Sequence, residues 1–240
     1  MKILIIRHAE PVYEKNTLTE KGFLEADALG LYHRNLPFDE IYSSPLPRAK
    51  LTAEAFLKYH PKTDLKIADW LQEFVHPVKV SYCSEEVLNW DFYPRYFYEE
   101  RDLFNDAYFN HPWMKSADIR SAYENVVSSF DRVLEKNGYI RNGRRYDAVN
   151  SNEKTLIFFC HFGMMSVLLS HLLNIPYVVL CQQFECQPTG ITTIVSEERE
   201  KGIVQFRLLR YSDITHLHIQ NIEPSFHGRF CETFDSPERH

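Results

Sequence analysis

Two arginines and two histidines stand at points of the chain where a predicted strand ends. Arg7 and His8 follow the apolar run at the N-terminus, Arg48 lies at a predicted helix start, and His161 follows the apolar run 155–160. Guanidinium groups and helix N-termini bind doubly charged oxyanions, phosphate in particular. A histidine beside a bound phosphate can act as a nucleophile or as an acid–base group. The sequence therefore predicts a phosphate-handling site assembled from three separate segments.

These side chains can meet only if the strands before them lie side by side in one sheet. Short apolar runs predict strands over residues 2–6, 39–43, 65–67, 155–160, 191–196 and 203–209. Helical spacing predicts helices over residues 19–34, from Pro47 onward, over 116–136 and over 163–173. This alternation predicts an α/β fold, a three-layer α/β/α sandwich with a mainly parallel sheet. Ligands bind beyond the carboxyl ends of such strands, where the four side chains stand.

One segment interrupts the alternation with aromatic residues. Ten of the 24 residues from 90 to 113 are Phe, Tyr or Trp, and residues 85–106 hold seven acids against two arginines. We assign residues 74–116 approximately to an insertion between a predicted strand and a predicted helix. Two interpretations stay open and can coexist: a small accessory core, or an aromatic-rich lid that contacts the substrate while its acids face solvent or a cationic group.

Composition excludes several classes of protein. The 240-residue chain is 44% hydrophobic and 25% charged, as is common for globular proteins, with a net charge of −6. The acidic balance argues against a nucleic-acid or membrane-surface binder, and the longest apolar runs are far shorter than the ~20 residues that span a bilayer. Five cysteines, an odd number without C-x-x-C spacing, favour reduced thiols and a cytoplasmic location. A homodimer stays open.

The end of the chain differs from the rest. Residues 1–222 are expected to form a single domain, and the polar, proline-broken residues 223–240 a tail that is partly disordered or folds over the pocket. Just before it, His216 and His218 lie two residues apart, as on one side of an extended segment, but no third metal ligand is apparent. In the first helix, Leu24 and Leu31 share one apolar face.

Several short motifs, in order along the chain, resemble the signature blocks of the histidine phosphatase superfamily, also called phosphoglycerate mutase-like. The similar segments are Arg7-His8-Ala9-Glu10 (R-H-G-E), residues 18–22 (L-T-x-x-G), residues 43–53 (S-S-x-L-x-R-A-x-x-T-A), Leu71-Gln72-Glu73 (L-x-E), Cys160-His161-Phe162-Gly163 and residues 213–217. A single tetrapeptide would be weak evidence, but the ordered set of blocks is specific.

The resemblance implies a metal-independent phosphatase that hydrolyses a small-molecule phosphomonoester through a phosphohistidine at His8. Arg7, Arg48 and His161 would hold the phosphoryl oxygens, and Glu73 would protonate the leaving group and then activate water. No cofactor and no metal are expected, because the guanidinium groups supply the positive charge. On the residues alone, Glu73 could instead be a surface carboxylate.

Two more residues enter the expected substrate-binding set. Asn16 stands two positions from the place of the family's asparagine contact, and Glu10 could orient His8 or cap a turn. Two alternative functions stay open: a phosphoglycerate mutase-type phosphotransferase and a noncatalytic phospho-ligand-binding protein on the same fold. A mutase needs additional cations for a second anionic group, so the acidic insertion favours hydrolysis.

Overall fold

The computed structural model describes residues 1–229 and 231–237. Strands and helices alternate in its first third as the apolar pattern predicts. In chain order these elements are β1 (Lys2–Arg7), β2 (Pro11–Val12), β3 (Thr17–Leu18), α1 (Glu20–Tyr32), β4 (Glu40–Ser43), α2 (Pro47–Leu57) and β5 (Lys66–Ile67). The predicted cap of the first helix is present, because the Thr19 hydroxyl accepts a hydrogen bond from the backbone N–H of Gly22.

The aromatic insertion folds as short elements joined by 3-10 turns. They are β6 (Val78–Lys79), β7 (Glu86–Val87), α3 (Pro94–Glu99) and α4 (Pro112–Ser116), with 3-10 turns at Arg101–Phe104 and Asp106–Asn110; a further 3-10 turn, Asp69–Leu71, precedes the insertion. The long helix that follows starts later than predicted: Asp118, in the left-handed region at φ 47°, separates it from α4.

The second half of the chain completes the sheet and its covering helices. The elements are α5 (Ile119–Lys136), β8 (Tyr139–Asn142), β9 (Arg145–Ala148), β10 (Thr155–Cys160), α6 (Phe162–Leu173), α7 (Tyr177–Gln183), β11 (Ile191–Glu200), β12 (Ile203–Asp213) and α8 (Thr215–Ile219). In the described part of the chain, no helix is both long and apolar enough to cross a bilayer.

Within the described residues, eight strands form the central sheet in the order β5-β4-β10-β1-β11-β12-β9-β8. The first four strands in this order pair in parallel, and the other four extend the sheet with antiparallel pairing. The register aligns Arg7 with Cys160 and Phe159 with Ser43. The predicted α/β architecture is confirmed, and its parallel half brings the residues that follow β1, β4 and β10 to one edge.

Alternate residues of β1 face opposite layers of the protein. Ile3 and Ile5 lie in a large buried cluster with side chains of α5 and α6, whereas Leu4 and Ile6 lie in a second cluster with side chains of α1 and α2. This alternation is the period-two pattern of a strand buried on both faces. The three layers of the predicted sandwich are therefore present.

The insertion adds its aromatic side chains to the larger of these two clusters. Phe92, Phe97, Tyr108 and Trp113 are buried there. All but one of the seven acids in residues 85–106 are exposed, and the exception, Glu100, pairs with His111. Most of the insertion is therefore packed core on one side and solvated carboxylate on the other.

Two details of the helices differ from the sequence expectation. Helix α1 buries Glu25, Ala26 and Leu29, whereas Leu24 is 62% exposed. His216 and His218 lie on the short helix α8, not on an extended segment, and only the first of them is buried. Tertiary contacts select which side chains are covered: Glu25 of α1 accepts from the backbone N–H of Glu10 in the loop after β1, and His216 of α8 bonds to Thr189 in the turn before β11.

Candidate active site

Backbone hydrogen bonds fix the loop that follows β1. The N–H of His8 donates to the carbonyl of Cys160 at 3.0 Å, and the N–H of Arg7 donates to the carbonyl of Gly190 at 3.2 Å. On the other side of β10, the N–H of Ser44 donates to the carbonyl of Phe159 at 2.9 Å. The sheet ladder thus continues past the strand ends and aligns the site residues.

The His8 ring is buried and held in one tautomer. Its Nδ1 lies 2.8 Å from the carbonyl oxygen of Ala9, and because a carbonyl only accepts, Nδ1 carries the proton. Nε2 therefore keeps its lone pair, and the Nε–H of Arg48 donates to it at 3.3 Å. Burial, followed by the neighbouring His161 and Arg7, holds the pKa of His8 well below its usual range. The arrangement gives a neutral imidazole whose Nε2 is unprotonated, the form that attacks an electrophile.

His161 lies beside His8, with 5.1 Å between the ring centroids. Its Nε2 is 2.8 Å from the Ser44 hydroxyl oxygen, and burial together with Arg48 and Arg7 holds the pKa of His161 well below its usual range. Its buried Nδ1 has no hydrogen-bond partner among the described residues. Nδ1 is therefore available to contact a bound anion.

The two guanidinium groups are buried and held from different sides. Arg7 donates from Nη1 to the carbonyl of Cys186 at 2.5 Å, and its Nε has no partner in the described part of the chain. Arg48, in the first turn of α2, donates from Nη1 to Asn16 Oδ1 at 2.9 Å, and its Cζ lies 5.4 Å from the centroid of the Tyr13 ring. Arg7 at the end of β1 and Arg48 at the start of α2 together form a cradle suited to phosphate.

Positive charge in this cradle comes from protein side chains. In the residues that the structure describes, no group of three or more His, Cys, Asp or Glu is placed to hold a metal ion. Metal independence itself stays a prediction.

The Glu73 carboxyl is placed at the N-terminus of α6. Its Oε1 accepts hydrogen bonds from the backbone N–H groups of Phe74 at 2.9 Å and Met164 at 3.1 Å. It therefore caps α6, a task that the side chain of the N-cap residue His161 does not perform. Desolvation raises the pKa of Glu73, although these N–H groups and the two site arginines oppose the increase. The residue is only partly exposed, and a raised pKa suits a proton donor.

The absence of a side chain at Gly163 makes room for the Glu73 carboxyl and for the Trp90 ring of the insertion. A Cβ at this position would lie 2.5 Å from the Trp90 ring and 2.9 Å from Glu73 Oε1. The Trp90 ring also lies edge-to-face with Phe162, at 6.4 Å between centroids, and Phe162 packs near Arg7. The insertion therefore contributes Trp90 to the wall of the site.

The two remaining predicted residues lie at the edge of the cradle. Asn16 contacts Arg48, as described above, so it is placed to orient that guanidinium. Glu10 accepts from the hydroxyl groups of Thr19 at 2.8 Å and Ser225 at 2.5 Å, and lies 3.9 Å from Lys21 Nζ. Glu10 thus binds both the start of α1 and the C-terminal segment. In the described part of the chain no hydrogen bond or ion pair joins it to His8, and its binding of substrate stays a prediction.

Part of the polar tail lies over the site. Ser225 bonds to Glu10, and Gly228, at φ 87°, packs so closely that a Cβ there would lie 2.9 Å from Arg7 Nη2. Arg229 pairs with Glu185 at 3.2 Å. The tail prediction covered residues 223–240, of which 230 and 238–240 lie outside the described residues. Residues 225–229 therefore lie against Glu10, Arg7 and Glu185, and the two expectations for the tail as a whole, partial disorder or closure over the pocket, stay predictions.

Sequence reasoning missed a buried carboxyl behind the loop. Glu25 Oε2 accepts from the backbone N–H of Glu10 at 2.9 Å, and Oε1 has no partner in the described residues. Burial, with the nearby Glu10 carboxylate, raises the pKa of Glu25 to about 7. Ser44 and the Cys186 carbonyl were also missed; Ser44 had a signal in the resembling block, whereas a backbone carbonyl has none.

Comparison with known proteins agrees with this geometry. The sequence pattern of the histidine phosphatase superfamily (branch 1) matches residues 3–80. Fructose-2,6-bisphosphatase TIGAR from Xenopus laevis is 37% identical over 76 residues, which cover 27% of this chain and 28% of that protein. The same protein from Xenopus tropicalis matches equally, so the chain aligns with less than a third of these curated relatives.

Solved structures resemble the chain over most of its length. Phosphoserine phosphatase from Entamoeba histolytica, in complex with 3-phosphoglyceric acid, has a TM-score of 0.59 at 19% identity and covers 90% of this chain and 98% of its own. Phosphoglycerate mutase from Bacillus anthracis has a TM-score of 0.60 at 17% identity, with 91% and 95% covered. These low identities show a common fold. The match to the superfamily's sequence pattern lies over residues 3–80, which hold Arg7, His8 and Arg48, and together with the common fold it supports a relationship to the histidine phosphatase superfamily.

Proposed function

We propose that this protein is a metal-independent phosphatase that hydrolyses a small-molecule phosphomonoester through a phosphohistidine at His8. The observation that carries the proposal is the neutral, buried His8 ring whose unprotonated Nε2 accepts a hydrogen bond from Arg48. A ring fixed in this tautomer needs no proton transfer before it attacks. The similarity to phosphatases and to a mutase supports phosphoryl transfer in general. The assignment to hydrolysis through a phosphohistidine at His8 is our proposal.

In the first step, the lone pair of His8 Nε2 forms a bond to phosphorus as the bond from phosphorus to the leaving oxygen breaks. Glu73 gives its proton to that oxygen, so the alcohol leaves neutral. Because Glu73 Oε1 accepts two backbone N–H groups, the proton is expected on Oε2. Desolvation raises the pKa of Glu73, which favours the protonated form that a donor needs.

In the second step, a water oxygen forms a bond to phosphorus as the bond from phosphorus to His8 Nε2 breaks. The Glu73 carboxylate takes a proton from that water, which returns both residues to their starting forms. Arg7, Arg48 and His161 would hold the nonbridging oxygens in both steps. Fixed cations of this kind stabilise the spread charge of the transferring phosphoryl group, the task that magnesium performs in other enzymes.

A phosphate-release assay with the purified protein, over a panel of phosphomonoesters and in the presence of EDTA, tests the proposal. We expect turnover that survives the chelator and disappears in His8→Ala, whereas His218→Ala, an exposed histidine, stays active. Transfer of phosphate between positions of a substrate, without release, would favour the mutase alternative. Binding without turnover would favour a phospho-ligand-binding protein, and loss of activity in EDTA with rescue by a divalent ion would overturn metal independence.

A further inference from the structure

The turn before β11 lies against the loop that carries His8. Its buried Thr189 adopts φ 57°, in the left-handed region. A β-branched residue is strained in that conformation, and such strain persists only where surrounding contacts hold it. The register between β11 and β12 also shifts next to this turn, as at a β-bulge. Thr189 has hydrogen-bond partners on two sides that can hold it in this conformation.

Thr189 is bonded on one side to the nucleophile's own backbone. Its N–H donates to the carbonyl of His8 at 3.3 Å, and the carbonyl of the next residue, Gly190, accepts from the N–H of Arg7 at 3.2 Å. The turn is therefore hydrogen-bonded to the backbone of two consecutive residues, Arg7 and His8. A shift of the turn would move the backbone from which the His8 ring projects.

On its other side, Thr189 is bonded to His216 of α8. The Thr189 hydroxyl donates to the carbonyl of Pro188 at 2.7 Å, so its oxygen is left to accept from His216 Nε2, 2.9 Å away. Nε2 of His216 therefore carries a proton. Burial, followed by the neighbouring His33, lowers the pKa of His216 to about 3, which leaves the ring neutral and this tautomer fixed.

We propose that His216 is a positioning residue for phosphoryl transfer, because its hydrogen bond to Thr189 holds the strained turn that fixes the His8 carbonyl. The inference rests on the proposed function of His8 as nucleophile. A metal-binding role for His216 and His218 does not fit, since Nε2 of the first is committed to Thr189 and the second is exposed.

Paired substitutions test this chain of contacts at both links. His216→Leu and Thr189→Val remove the donor and the acceptor, whereas His216→Gln and Thr189→Ser keep a donor or a hydroxyl at the same place. His218→Leu, on the same helix, is the matched control. The measurements are kcat and KM on p-nitrophenyl phosphate, the thermal midpoint, and the NMR signals of the His8 imidazole nitrogens.

We expect His216→Leu and Thr189→Val to lower kcat on the order of tenfold, as a small displacement of a reacting group does, with KM changed less than about twofold. The His8 nitrogen signals should shift in both variants. His216→Gln, Thr189→Ser and His218→Leu should retain most of the wild-type values.

Wild-type kcat and unshifted His8 signals in the two disrupting variants would overturn the proposal. So would a fall in kcat that merely follows the loss of folded protein and that the conservative variants do not reverse. If His216→Leu fails to fold, kcat and the His8 signals of Thr189→Val decide whether the proposal holds. If the wild-type protein hydrolyses no phosphomonoester, the proposed function fails, while the His8 signals still show whether His216 positions that ring.

Discussion

Two regions of the molecule meet at Glu73, and they are organised by different forces. The strand-end edge consists of polar side chains held by directed hydrogen bonds; His8 and His161 are only 1% and 0% exposed. The insertion after it consists of aromatic rings that pack into the main core, with Trp90 at the wall of the site. Substitutions should therefore impair catalysis at the edge and stability in the insertion.

The largest effect on catalysis is expected from a substitution at Glu73. Glu73→Gln keeps an oxygen for the backbone N–H groups of Phe74 and Met164 but removes the proton donor, so kcat/KM should fall by about 10²–10⁴-fold for an alkyl phosphate. In kcat/KM, which reports only the steps up to formation of the phosphohistidine, the loss should be much smaller for p-nitrophenyl phosphate, whose leaving group needs no proton. Equal losses on both substrates would assign Glu73 a purely structural role. Glu86→Gln, an exposed carboxylate of the insertion, is the control.

The Glu73→Gln variant also tests the pH dependence of catalysis. His8 must be neutral, and its pKa lies well below 6.5, so activity should be lost only as the pH falls through that lowered value. Glu73 must be protonated, and its pKa is raised above 4.5, so activity should also fall as the pH rises through that raised value. The profile of kcat/KM should be bell-shaped in wild type and should lose its alkaline limb in Glu73→Gln.

Two aromatic residues of the insertion should separate catalysis from stability. Phe97 is fully buried, so Phe97→Ala should lower the free energy of unfolding by about 3–5 kcal/mol, with kcat per folded molecule unchanged. Trp90→Ala should instead change kcat/KM unequally across leaving groups while inhibition by inorganic phosphate stays nearly constant. Equal losses for every substrate, in step with a lower thermal midpoint, would make Trp90 part of the core alone.

A smaller effect is expected from Glu25 behind the loop. Its pKa rises from 4.5 to about 7 on folding, so the folded protein holds this proton more tightly than the unfolded chain does. Its stabilising contribution is complete below pH 4.5 and is lost as the pH rises to about 7, a change of about 3 kcal/mol. Denaturant unfolding should show that Glu25→Gln loses less stability than wild type between these limits. Glu54→Gln, exposed on α2, should follow wild type.

The smallest change lies where the two regions touch. Gly163→Ala adds a methyl group that must displace the Trp90 ring or the Glu73 carboxyl, so kcat should fall by about tenfold. Alanine favours a helix over glycine by ~1 kcal/mol, so the thermal midpoint should not fall for reasons of helix propensity. An unchanged kcat with a displaced Trp90 would show that the indole yields while Glu73 keeps its place.

The edge could be predicted from the sequence because its signals are local. An apolar run marks each strand, and the residue after the strand lies at the sheet edge whatever the rest of the fold does. This reasoning placed His8, Arg48 and His161 together. The burial of Glu25 could not be predicted, because the apolar spacing favoured Leu24 and Leu31, and contact with the loop after β1 selected the opposite face of α1.

The insertion could be predicted only in part. Its aromatic density indicates burial, but its residues follow neither a helical nor a strand period, so no pattern distinguishes Trp90 from Phe97. The contact of Thr189 with His8 was equally out of reach, because it runs through backbone atoms that carry no residue signature. Features built from backbone groups and long-range packing thus require the structure.

The central claim is that His8 carries the phosphoryl group, and trapping that intermediate tests it most directly. Glu73→Gln with p-nitrophenyl phosphate should form the intermediate and hydrolyse it slowly, so the labelled protein should accumulate. After an alkaline quench, peptide mapping and phosphorus NMR should locate one acid-labile phosphoryl group on Nε2 of His8, absent from His8→Ala. Turnover without any such adduct, or a phosphoryl group on His161 instead, would contradict the account.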